Sequence, residues 1–107
     1  MAPFTLIDDA LGGVAVPESG IAKRVIFESE TLKIVAFRFS AGHEMPVHST
    51  PSPALLQFLQ GEAEVVLGEE RRIVDTGALI HMSPALPHGI FARTPVSMLL
   101  WLFKQPS

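Results

Sequence analysis

Apolar and polar positions along this chain recur in short extended runs, with no sustained helical stripe. A helix needs apolar residues at three- and four-residue spacing over ten or more positions, and only residues 5–12 have room for even a short one. Residues 22–28 and 32–40 are rich in β-branched and aromatic side chains and are separated by Ser29, Glu30 and Thr31, which predicts a hairpin. Residues 55–59 form a third run, bounded by Pro51-Ser52-Pro53 and by Gly61. Residues 62–67 alternate, with Ala63, Val65 and Leu67 on one face. Gly68-Glu69-Glu70 turns the chain into 71–74, and Asp75-Thr76-Gly77 turns it into 79–82. The stretch 83–87 breaks the ladder, because Pro84 and Pro87 have no N–H to donate. Residues 89–93 and 97–103 complete a predicted set of eight short strands. The fold class this predicts is all-β, a sandwich or barrel.

Two of the runs are apolar on both faces. Residues 98–103 show no alternation and residues 32–39 almost none, so a second apolar layer must cover their outer side. That cover comes either from the chain's own N-terminal segment or another strand layer, or from a second copy of the chain. With only 107 residues to draw on, the chain predicts a homodimer. The same length predicts one domain, residues 1–107.

Composition narrows the function classes. The net charge is −3 and basic residues occur at most in pairs, which argues against nucleic acid as a partner. The absence of cysteine removes disulfides, thiolate catalysis and cysteine-based zinc sites. The first residues have no basic start followed by a long apolar run, and the stretch 98–103 is far too short to span a bilayer, so the expected setting is cytoplasmic, away from membranes. No G-x-S-x-G elbow, glycine-rich phosphate loop or helix-turn-helix is present, and the chain has no tyrosine for a histidine–tyrosine acid–base pair.

The candidate chemistry lies in two spaced sets. Gly42, His48, Thr50, Ala54 and Gly61 have the layout G-x5-H-x-T-x3-A-x6-G, and Gly77 leads a segment that ends in Pro87-His88. On an extended strand His48 and Thr50 would point the same way, and His88 could face them across a barrel. The two sets resemble the first and second motifs of the cupins, at residues 42–61 and 77–92, within a similarity that spans about 33–104. In the first motif Thr50 and Ala54 stand where the family has its second histidine and its glutamate. In the second, Ser83, Ala85 and Ala92 replace the usual proline, glycine and asparagine.

The resemblance implies a double-stranded β-helix, or jelly-roll barrel. It also implies a divalent transition metal, iron, manganese, nickel or zinc, held by His48 and His88. Thr50 would add only a weak hydroxyl ligand and Ala54 none; a small residue at the glutamate position also resembles cupins of the gentisate-dioxygenase type. His43, Glu44 and Gln57 are the nearest further donors, with His43 in the loop before the strand. By parity Gln57 and His81 should face away from the cavity. The pocket predicted around the histidines is lined by Thr50, Ala54, Leu56, Phe58, Ile80 and Met82, with contributions from Met45, Phe37 and Trp101. Such a lining suits a small, partly apolar or aromatic molecule. Two functions remain open at this stage. One is a metal-assisted enzyme, dioxygenase- or isomerase-like, in which Thr50 orients substrate or water. The other is a non-enzymatic binding or sensing module that has lost the metal.

Overall fold

A computed structural model describes residues 3–104, and these contain strands, turns and loops but no helix. Nine strands follow one another: β1 (Ile21–Glu28), β2 (Leu32–Phe39), β3 (Glu44–His48), β4 (Ala54–Gln60), β5 (Ala63–Leu67), β6 (Glu70–Val74), β7 (Leu79–Met82), β8 (His88–Ala92) and β9 (Val96–Phe103). They form a five-stranded sheet in the order β1-β2-β9-β4-β7 and a four-stranded sheet in the order β3-β8-β5-β6. Every pairing is antiparallel. This is the all-β class that the runs predicted and the jelly-roll barrel that the resemblance implied. The strand the runs did not reveal is β3, whose sequence EMPVH has little strand character apart from Val47.

Local chemistry sets the strand limits. At the β1–β2 turn the Ser29 hydroxyl accepts hydrogen bonds from the N–H groups of Thr31 and Leu32, a serine turn that closes the predicted hairpin. At the same end of the hairpin Lys104 donates to Glu28 and to the Ser29 carbonyl, each at 2.8 Å. That ammonium, first as hydrogen-bond donor and then as a charge, holds the Glu28 carboxyl below its usual range. A lowered carboxyl stabilises the fold above its unfolded pKa, and the benefit disappears as pH falls through the folded value.

The inward faces of the two sheets meet in one core. Phe39, Phe58 and Met98 are fully enclosed, and Val35, Phe37, Leu56, Val65, Met82 and Ile90 join them. The outward face of the five-stranded sheet explains the strands that are apolar on both sides. Ala10, Leu11 and Val14 of the N-terminal segment pack over Ile34, Ala36 and Leu99 and form a second, smaller cluster. The chain's own N-terminal segment therefore supplies part of the second layer.

Candidate functional site at the His48–His88 pair

β3 is an edge strand, which is why it tolerates Pro46 and its missing donor. The strand slips register between Met45, which pairs with Ile90, and His48, which pairs with His88. Residues three apart on a regular strand face opposite sides. The extra residue of the bulge brings His48 back to the side that Met45 uses to reach the core. His48 thus meets His88 as a direct neighbour in the same sheet, with ring centroids 4.5 Å apart and planes at 53°. The two rings do not face one another across the barrel, as simple strand parity suggested.

The rings are anchored alike. His48 Nδ1 lies 2.8 Å from the Pro46 carbonyl oxygen and His88 Nδ1 lies 3.0 Å from that of Leu86. A carbonyl oxygen can only accept, so each Nδ1 carries the proton and donates it. In the neutral ring the lone pair then sits on Nε2, and among the described residues neither Nε2 has a partner. His88 is buried and His48 exposed, so the pair runs from the barrel interior to its mouth. The loops beneath are tied to each other: Ala85 N–H donates to the Thr50 carbonyl at 2.7 Å, and Gly68 N–H to that of Pro87 at 2.8 Å.

Ala85, at the second motif's glycine position, has φ of +68°. A methyl side chain in this left-handed region costs about 1–2 kcal/mol. Glycine would relieve that strain while adding about 0.4–1 kcal/mol of unfolded-state entropy. Ala85→Gly is therefore expected to raise stability by about 0.5–1 kcal/mol, measured as a higher urea midpoint at unchanged slope.

The other candidate donors lie elsewhere. β3 ends at His48, so Thr50 is not on the strand, and its hydroxyl donates to the Ser52 carbonyl at 3.2 Å. Ala54 is buried in the core. His43 is held between two serines, with Nδ1 2.9 Å from Ser40 Oγ and Nε2 3.1 Å from Ser19 Oγ. That link to a residue 24 positions upstream ties the β2–β3 loop to the entry of β1, and nothing in the local sequence pattern signals it. Gln57 accepts from Trp101 Nε1 at 3.1 Å on the outer face, and His81 is exposed. No group of three or more His, Cys, Asp or Glu among the described residues is placed to hold a metal ion. A catalytic zinc-type site normally has three protein ligands and an open position. Two imidazoles and no third donor do not fit a resident metal.

The predicted lining also differs. Ala54, Leu56, Phe58 and Met82 are at most 2% exposed and pack into the core, with Ile80 against them. Met45 and Phe37 belong to the same core, while Trp101 packs in the outer cluster. Alternation identifies the inward residues but cannot distinguish a filled interior from an open one, and here the side chains fill it.

Two antiparallel sheets closing on a histidine pair at one mouth define a cupin-type barrel. The cupin-domain family model matches residues 35–103, and the chain belongs to that family. Among solved structures, it resembles a conserved Streptococcus pyogenes protein of unknown function at 26% identity and a TM-score of 0.85, covering 99% of this chain and 93% of that one. An RmlC-like cupin from Desulfovibrio desulfuricans is 31% identical, with 96% of each chain covered and a TM-score of 0.78. A variant of salicylate 1,2-dioxygenase from Pseudoaminobacter salicylatoxidans shares the fold at 18% identity and a TM-score of 0.75, covering 81% of this chain and 28% of that one. No curated protein sequence matches the chain.

Proposed function

We propose that this cupin binds a small organic molecule at the His48–His88 pair and does so without a resident metal. The observation that carries the reading is the pair itself: two rings 4.5 Å apart, each with Nδ1 committed to a backbone carbonyl. Two unpartnered acceptor nitrogens suit a ligand with hydroxyl or N–H donors. Leu67, which pairs with His88, and Leu86, whose carbonyl orients it, offer apolar contact to the body of that ligand. A metal-assisted dioxygenase- or isomerase-like reaction, the other reading the motifs suggest, would need a third ligand that His43, Thr50 and Ala54 do not provide.

Elemental analysis of untagged protein purified without chelator is expected to find far less than one equivalent of iron, manganese, nickel or zinc. A near-stoichiometric ion would overturn the proposal. Ligand-observed NMR should select fragments carrying hydroxyl or N–H donors. A net hydrogen bond is worth about 1 kcal/mol, so His48→Ala and His88→Ala should each weaken the selected fragments about fivefold.

A homodimer remains our reading of the outer face of the five-stranded sheet. Where the cluster under the N-terminal segment ends, half-buried Trp101 pairs with half-buried Leu55, and Leu79, paired with Gln57, is 62% exposed. A twofold partner laid on this face would bury that apolar row. Light scattering should give twice the chain mass, and Leu79→Glu should shift it toward the monomer. A monomeric wild type at high concentration would refute the dimer.

A further inference from the structure

The four-stranded sheet has a cavity of about 380 Å³ on its outer face, away from the histidine pair. The register builds it from two rows across the strands. In one row Phe91 of β8 has Glu44 of β3 on one side and Glu64 of β5 on the other. In the other row Gly89 of β8 pairs with Val66 of β5, which pairs with Arg71 of β6. Gly89 lies in the floor of the cavity, where its missing side chain lets Val47 pack close against the backbone. A Cβ placed there would lie 3.0 Å from Val47 Cγ2 and 3.2 Å from the Met45 carbonyl oxygen. Val47 closes one side of the cavity, while Phe91, 39% exposed, closes another.

The chemistry of the rim is one-sided. Arg71 is engaged with Glu64 at 3.0 Å, whereas Glu44 has no cationic partner among the described residues. Two carboxylates against one guanidinium leave a net negative rim around a floor of valine, glycine and phenylalanine. The volume lies within the range of small-molecule sites. An apolar body can rest on Gly89 between Val47 and Val66, and a cationic head then reaches the Glu44 carboxylate and the ring of Phe91.

We propose that this groove is a second binding site, for a small amphipathic organic cation such as an arylalkyl amine. Phenethylamine serves as the probe, with 2-phenylethanol and 3-phenylpropionate as neutral and anionic counterparts. On isotope-labelled full-length protein, amine addition should shift the backbone resonances of Val47, Val66, Gly89 and Phe91, with a dissociation constant of about 1 mM. The neutral alcohol should bind about fivefold more weakly, and the acid should cause no shift. Glu44→Gln and Phe91→Ala alter exposed side chains and should each weaken the amine about fivefold while leaving the spectrum folded. His48→Ala should leave amine binding unchanged, which separates this site from the histidine pair. Equal shifts from amine and alcohol, or shifts confined to His48 and His88, would overturn the proposal. So would shifts of these four residues that track protein concentration without ligand, since a second copy would then occupy the groove.

Discussion

Gly61→Ala is expected to destabilise the protein by about 2–5 kcal/mol, a large share of the 5–15 kcal/mol typical of a folded domain. Two separate costs contribute. Gly61 has φ of +95°, a backbone region that side chains with a Cβ rarely adopt. A Cβ at that position would also lie 2.0 Å from the Pro95 carbonyl oxygen, so the backbone itself must move. The glycine therefore lets the β4–β5 turn pack directly against the β8–β9 loop. In the same place Glu62 N–H donates to Thr94 Oγ1 at 2.9 Å. Gly77 is the control, because it shares the φ of +95° but has nothing within 4 Å of its Cβ position. Gly77→Ala should cost only the conformational part, about 1–2 kcal/mol. Urea unfolding of both variants measures the difference, and equal losses would mean that the approach of Pro95 is not what requires glycine at 61.

The contrast between Gly61 and Gly77 also marks what sequence could tell. Both glycines were legible as turn positions, as were the hairpin at Ser29 and the inward faces of β4 and β5, because these depend on neighbours a few residues away. The features that shape the site depend on neighbours far along the chain. Met45 was read as contributing to the pocket around His48, but the bulge against β8 that puts the two on one side was not legible. For the same reason His48 and Thr50 were expected on a common strand, which in fact ends at His48. His43 found its partner in Ser19, which no motif connects to it. Leu56 and Phe58 were correctly read as inward, yet inwardness by itself says nothing about free volume. An open space lies on the outer face beside Gly89, Val66 and Phe91, and the register across three strands is needed to recognise it.

A third imidazole should turn the histidine pair into a metal site. Wild-type protein is expected to show no change in unfolding midpoint when chelator is added, since two imidazoles hold an ion too weakly for binding to add stability at micromolar metal. Thr50→His should change that. A four-ligand structural zinc site contributes about 10–16 kcal/mol, or about 3 kcal/mol per ligand, so one added ligand corresponds to about a hundredfold in affinity. Position 50 is the suitable place because the Ala85 N–H holds its carbonyl at 2.7 Å, beside the loop that leads to His88. Its present side chain gives up only a local bond to the Ser52 carbonyl. Ala54, the other position where the family carries a ligand, is a poorer choice. It is 1% exposed and pairs with Met82 and Leu102, so a carboxylate introduced there would be stripped of water among apolar neighbours. Competition titration with zinc or nickel should show the hundredfold gain in Thr50→His and its loss when His88→Ala is added. An affinity unchanged from wild type would mean that residue 50 points away from the pair, and that the likeness to the family's first motif stops at His48.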